Sequence, residues 1–255
     1  MKNKTNIMLV LFIFFSLIIA VPYAIKYDKS KVMTKVNIDN KEEINQGIKK
    51  EETPVWYDSS KIIIVGDSRM YGASKVVKDE NIIFIAKNAV TCGYITETAE
   101  KEIDKLIEKN PDEHYTIFFN LGINDLDYKE QGKKVDGKEI CSSSDYIKIY
   151  QKLRKKWKNH NLFFESVNPL DLEVLKKEKF KDRPMADNDK VAEFNKTIYE
   201  ELEHDNFYYC DTYTYLLENG YVSTDGLHYD SATSKTIIEQ VKKCYHKNQE
   251  KFNTI

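Results

Sequence analysis

Short, continuously apolar segments alternate with amphipathic ones along the chain after residue 55. Continuous apolarity is typical of strands that are covered on both faces, as in a parallel sheet. Five segments are therefore predicted strands, at 61–66, 81–87, 115–121, 161–167 and 206–211. The segments between them carry apolar residues at helical spacing, for example Ile95, Ala99, Ile103, Leu106 and Ile107. This order predicts a three-layer α/β/α domain with a doubly wound, five-stranded parallel sheet.

The first 25 residues have a different character. Lys2 and Lys4 precede an apolar run from residue 7 that is long enough to span a bilayer if it continues to Ile25. Small residues at the spacing of a signal-peptide cleavage site are lacking. We therefore predict an N-terminal transmembrane helix over 1–25, with a cleaved signal segment as the alternative. The tripartite, signal-like start favours a domain outside the cytoplasm, either membrane-anchored or, if cleaved, secreted. A charged linker follows over 26–55, and the globular domain is expected over 56–250.

Composition excludes some function classes. The 255 residues include 39 Lys and Arg against 41 Asp and Glu, a net charge of −2, which gives no general attraction to nucleic acid. Histidines and acids lack the spacing of metal ligands, so no metal site is predicted. The four cysteines, at 92, 141, 210 and 244, form no C-x-x-C pair. They could form one or two disulfides outside the cytoplasm, and the sequence does not choose among the three complete pairings.

Several polar residues come directly after the predicted strands, where the sites of such sheets gather. Ser68 follows the first strand, and a serine becomes a nucleophile once a base such as His228 takes its proton. Asp225, three residues before His228, can fix the tautomer of the imidazole. An acyl-transfer intermediate also needs donors for its oxyanion. The candidates are the Ser68 and Gly93 backbone amides and the Asn124 side chain.

Four segments carry these residues in order: "VGDSR", "CGY", "GIND" and "DGLHY". Together they resemble the four blocks of the SGNH (GDSL-type) hydrolase family over roughly residues 58 to 246. The resemblance implies a flavodoxin-like fold and a serine nucleophile at Ser68 with Asp225 and His228 as partners. It also implies oxyanion donors at Ser68, Gly93 and Asn124, and no cofactor.

Two positions depart from the family pattern. Arg69 stands where leucine is expected after the serine, and we interpret it as either a salt-bridged helix residue or a contact for an anionic substrate. The glycine block is imperfect, so the amide of Ala89 or Val90 could replace that of Gly93. The segments 127–145 and 168–185 follow strands and are candidates for substrate specificity, although solvated loops are common there. The remaining four histidines are predicted to lie at the surface.

The expected function is an extracytoplasmic serine esterase that removes small, acetyl-type acyl groups. Its partner would be an acylated carbohydrate or cell-envelope polymer, and the N-terminal helix would bind the membrane. One alternative is an O-acyltransferase that uses the same acyl-enzyme, because water and a sugar hydroxyl can attack the same intermediate. The other is a non-catalytic surface module with the same fold.

Overall fold

A computed structural model describes residues 56–59, 61–128, 131–177 and 186–253. The predicted membrane helix (1–25) and linker (26–55) lie outside these residues, so both stay predictions. Within the described ranges, no helix is long and apolar enough to cross a membrane. The last described helix runs to Asn253, three residues past the predicted end of the domain.

The described residues form seven strands, of which five build one parallel sheet in the order β2-β1-β3-β6-β7. In chain order the strands are β1 (Lys61–Gly66), β2 (Ile82–Ala86), β3 (Tyr115–Asn120), β4 (Lys133–Val135), β5 (Lys138–Ile140), β6 (Asn161–Glu165) and β7 (Phe207–Cys210). Each strand of the parallel sheet coincides, to within two residues at either end, with an apolar segment that predicts it. The short strands β4 and β5 form a separate antiparallel hairpin in the segment after β3.

Helices connect the strands and cover both faces of the sheet. They are α1 (Ser68–Val76), α2 (Glu100–Lys109), α3 (Ile123–Leu126), α4 (Ser143–Lys156), α5 (Leu172–Leu175), α6 (Asn188–Leu202), α7 (Thr212–Asn219) and α8 (Ser231–Asn253). A π-helical turn, Ile95–Ala99, leads into α2. Several helices begin with a side-chain cap, such as Ser142 and Asp145, which form a reciprocal capping box at the start of α4.

Two hydrophobic clusters, one on each face of the sheet, form the core. Successive strand residues point to opposite faces. Accordingly Ile63 and Val65 pack with residues of α2, α4 and α6, whereas Ile62 and Ile64 pack with residues of α1, α7 and α8. The predicted doubly wound, three-layer α/β/α architecture is confirmed by this arrangement.

One prediction about the histidines is wrong. His160 precedes β6 between two asparagines and was expected at the surface, yet it is only 6% exposed. Its Nδ1 atom accepts a hydrogen bond from the Tyr115 amide at 3.0 Å. Burial lowers the pKa of His160 to about 4, with His114 and Arg154 adding to the effect. The ring is therefore a neutral acceptor at the edge of the sheet opposite the predicted site.

Candidate active site

The sheet topology brings the predicted site residues to one edge. In the order β2-β1-β3, the chain continues from β1 to β2 on one side and then crosses back to β3 on the other side of β1. Such a switch point opens a crevice beyond the carboxyl ends of the strands. Ser68 follows β1, Gly93 lies in the connection after β2, and Asn124 follows β3. Asp225 and His228 come from the loop between α7 and α8.

A tight turn presents Ser68 at the start of α1. Gly66 is required there, because a Cβ atom on it would lie 2.3 Å from Cγ of Met70, one turn further along the chain. Asp67 caps the helix, accepting a hydrogen bond from the Arg69 amide at 2.9 Å. Burial raises the pKa of Asp67, while the positive charge of Arg69 opposes the shift. Ser68 itself is half-buried and stands at the first position of the helix, where the backbone N–H groups have no partner within the helix.

Ser68, His228 and Asp225 form a continuous hydrogen-bonded chain. Oγ of Ser68 lies 2.8 Å from Nε2 of His228, and Nδ1 of His228 lies 2.9 Å from Oδ2 of Asp225. With the Nδ1 proton donated to the carboxylate, Nε2 is left to accept the serine proton. This is the arrangement that activates a serine hydroxyl in hydrolases.

The Asp225 carboxylate is fixed by the loop that carries it. Its Oδ1 atom accepts the backbone amides of His228 and Leu227, at 2.8 and 3.1 Å. Burial by itself would raise the pKa of Asp225, but these bonds and the His228 ring outweigh it and lower the pKa. Gly226 has a φ of +86°, and a Cβ atom there would lie 2.5 Å from the Leu175 amide nitrogen. The loop therefore depends on glycine for its shape and for its close approach to α5.

The predicted oxyanion donors lie on the segments that follow β1, β2 and β3. Nδ2 of Asn124 donates a hydrogen bond to the Val90 carbonyl at 2.8 Å, which joins α3 to the loop after β2. A carboxamide has two N–H groups, so one remains for a developing oxyanion. Gly93 is buried at the start of the helical segment after β2, and a Cβ atom on it would lie 3.5 Å from Cβ of Glu139. The oxyanion roles of Ser68, Gly93 and Asn124 stay predictions.

Arg69 occupies a different environment from either one predicted. Its side chain is 3% exposed and makes no salt bridge within the described part of the chain. Nε donates to the Leu227 carbonyl at 2.9 Å, and Nη1 donates to the Asn168 carbonyl at 2.7 Å. A buried guanidinium that is held by backbone carbonyls does not favour the predicted contact with an anionic substrate. Instead, the Arg69 side chain connects the loop that carries His228 to α1, the helix that begins at Ser68.

Two features of the site were not predicted. Asp125, to which the sequence analysis assigns no role, is fully buried, and a disulfide joins Cys92 to Cys141 beside it. The second disulfide, Cys210–Cys244, joins β7 to α8. These bonds select one of the three pairings that the sequence left open. Cys92, Asp125 and Cys141 are close enough to share a metal ion, but both sulfur atoms are committed to the disulfide.

A cavity of about 300 Å³ borders the glycine block. Val90 and Gly93 form part of its wall, together with the tip of the β4–β5 hairpin. Most of its other side chains are polar or aromatic, namely Lys87, Asn88, Thr91, Tyr94, Glu97, Thr98, Lys138 and Glu139. The segment 127–145, predicted as a candidate for specificity, thus contributes Gly137, Lys138 and Glu139 to this cavity. The cavity is also lined by Val90, whose carbonyl accepts the hydrogen bond from the Asn124 side chain.

No family model and no curated protein matches the chain. Solved structures do match it. A protein from Slackia heliotrinireducens, described as a candidate SGNH hydrolase, has a TM-score of 0.50 at 10% identity, covering 74% of this chain and all (100%) of that chain. A lipase/acylhydrolase from Enterococcus faecalis has a TM-score of 0.47 at 14% identity and covers 71% of this chain and 93% of its own. The psychrotrophic esterase EstA from Pseudoalteromonas sp. has a TM-score of 0.48 at 15% identity, with coverages of 75% and 100%. The predicted resemblance to SGNH hydrolases is confirmed at the level of the fold.

Proposed function

We propose that this protein is a serine ester hydrolase that works through an acyl-enzyme on Ser68. The observation that carries the proposal is the hydrogen-bonded chain from Ser68 through His228 to Asp225, with distances of 2.8 and 2.9 Å. This hydrogen-bonded chain stands at the switch point of an SGNH-type sheet. A non-catalytic module would have no need for this alignment.

The geometry supports the following sequence of steps. Nε2 of His228 takes the proton of Ser68 as Oγ attacks the ester carbonyl carbon. The resulting oxyanion is stabilised by donors at Ser68, Gly93 and Asn124. When the intermediate collapses, His228 returns the proton to the departing alkoxide, and the acyl group remains on Oγ. Water then repeats the same steps and releases the acid, while Asp225 holds the imidazolium in place.

For the substrate, we propose a small acyl ester, of acetyl type, on a carbohydrate or cell-envelope polymer. The cavity beside Val90 and Gly93 supports this class, because its polar side chains could bind hydroxyl groups and Tyr94 could pack against a sugar ring.

We further propose a location outside the cytoplasm. Disulfides persist in oxidising compartments, and all four cysteines of this chain are in disulfides. Attachment to the membrane through residues 1–25 stays a prediction.

Replacement of the nucleophile tests the proposal. Ser68→Ala should lower the hydrolysis of a short-chain aryl ester by at least about 10³-fold, because alanine has no hydroxyl group for His228 to activate. A fluorophosphonate should label the wild type once, on Ser68. Ser74→Ala is the matched control, since Ser74 lies on the same helix and its hydroxyl donates only to the Tyr71 carbonyl. Full activity of Ser68→Ala, or labelling at another residue, would refute the assignment.

Adding acetylated glycans, with and without a sugar acceptor, then separates the two fates of the acyl-enzyme. Release of free acid supports hydrolysis. Transfer product with little free acid would instead assign the protein as an acyltransferase that uses the same serine.

A further inference from the structure

The carboxylate of Asp125 joins three separate segments of the chain. Its side chain is fully buried. Oδ1 accepts the Cys141 amide at 2.8 Å and the Cys92 amide at 3.4 Å, and Oδ2 accepts the Tyr146 hydroxyl at 2.6 Å. One side chain on α3 therefore holds the loop after β2, the residue that precedes the N-cap of α4, and the first turns of α4 itself.

A covalent bond holds two of the same segments. The disulfide Cys92–Cys141 connects the loop after β2 to the start of α4, directly across Asp125. Both cysteines are buried, so this bond lies within the protein and not on its surface. The disulfide and the carboxylate thus act on one pair of backbone positions, which has little freedom left to move.

Asp125 and Cys92 are the chain neighbours of the two predicted oxyanion donors outside α1. Asn124 directly precedes Asp125, and Gly93 directly follows Cys92. The Asn124 side chain adds a bond to the Val90 carbonyl on the same loop. A displacement of about 1 Å in such a donor can reduce the rate on the order of 10²-fold, because its hydrogen bond must form at the oxyanion position.

We infer that Asp125 is a positioning residue, which together with the Cys92–Cys141 disulfide sets the distance between the oxyanion donors at Gly93 and Asn124. The inference rests on the proposed hydrolase function. Asp125 touches neither the substrate nor the reacting atoms, and it acts through the backbone of its neighbours. A purely structural role would change stability alone, whereas a positioning role changes kcat and leaves KM nearly unaltered.

The two disulfides provide a matched pair of variants. Cys92→Ala with Cys141→Ala removes the bond at the donors, and Cys210→Ala with Cys244→Ala removes the bond between β7 and α8. The cysteines are 49 and 34 residues apart in sequence, so both losses should lower the melting temperature to a similar degree. Only the first double variant should lower kcat on a short-chain aryl ester, by about tenfold or more with KM within about threefold.

Single substitutions test the carboxylate itself. Asp125→Ala should lower kcat by about 10²-fold at nearly constant KM, and Asp125→Asn should restore part of this loss, because an amide oxygen can still accept the two backbone amides. If Asp125→Ala does not fold, the pair of disulfide variants decides the matter. Equal kcat values in the two disulfide variants would overturn the inference while leaving the hydrolase proposal intact. Wild-type protein without Ser68-dependent ester turnover would remove both.

Discussion

The replacement of Arg69 by methionine tests how the loop that carries His228 is held. Methionine keeps an unbranched side chain of similar bulk but provides no donor. The carbonyls of Leu227 and Asn168 would then lose the bonds that they now accept at 2.9 and 2.7 Å. Both residues are at most 4% exposed, so water is poorly placed to replace the guanidinium.

The expected loss of stability follows from these two bonds. A hydrogen bond from a charged donor contributes about 1.5–3 kcal/mol, so the two together contribute about 3–6 kcal/mol. The variant no longer buries a positive charge, which offsets part of the loss and leaves a net decrease of about 2–4 kcal/mol in the free energy of unfolding. Leu227 directly precedes His228 in the chain. Because the imidazole becomes less well aligned when Leu227 moves, kcat should also fall, by about tenfold.

Urea unfolding and steady-state kinetics on one neutral and one anionic aryl ester measure both effects. Arg154→Met is the control, because Arg154 also donates to two carbonyls, those of His160 and Trp157, but at the opposite edge of the sheet. That variant should lose stability and keep its kcat. If the free energy of unfolding of Arg69→Met lies within about 0.5 kcal/mol of the wild-type value, Arg69 does not hold the loop that carries His228. A rise in KM confined to the anionic ester would instead restore the predicted substrate contact.

Substitutions at two further positions test the oxyanion hole and the buried carboxyl group. Asn124→Gly and Asn124→Asp should each lower kcat by roughly 10²- to 10³-fold, and Asn124→Asp should have the larger effect because its negative charge repels the oxyanion. If Asn124→Asp keeps the wild-type kcat and circular dichroism spectrum, Asn124 is not part of the oxyanion hole. Burial raises the pKa of Glu165 to about 8, so between about pH 5 and 8 the folded state binds more protons than the unfolded state. Stability should therefore fall with rising pH, by about 1.4 kcal/mol per unit from this group. Glu165→Gln should remove that part of the slope in urea unfolding at pH 5.5, 6.5 and 7.5, and an unchanged slope would contradict the assignment.

The sheet was predictable because its strands are short apolar runs rich in β-branched and aromatic residues. Such runs have few alternatives to burial on both faces, and β3, with all six residues buried, is the clearest case. The position of Ser68 at one edge of the sheet was predictable for a related reason, whereas Asp225 and His228, in the loop between α7 and α8, were predicted from the motif "DGLHY". In a parallel sheet, segments that follow successive strands meet at one edge, whatever their separation along the chain.

The contacts that could not be predicted depend on pairs of residues distant in sequence. Arg69 bonds to carbonyls 99 and 158 residues further along the chain, and backbone acceptors leave no trace in the sequence. Asp125 is likewise identified by the amides of Cys92 and Cys141, which any residues could provide. His160 was misassigned because its asparagine neighbours suggest a loop, although Asn161 is itself buried, with a side chain that bonds to Tyr57 and Thr116.

Three buried acids, Asp67, Asp125 and Glu165, interact electrostatically. Asp67, next to Ser68, raises the pKa of both Asp125 and Glu165, although burial is the larger cause for each. With its pKa raised to about 8, Glu165 is mostly neutral at pH 7. An ionised carboxylate at that position would repel the carboxylate of Asp67 in a medium of low dielectric. Burial of Glu165 therefore costs stability at high pH, but near neutrality it keeps one further negative charge away from Asp67, the residue that precedes Ser68.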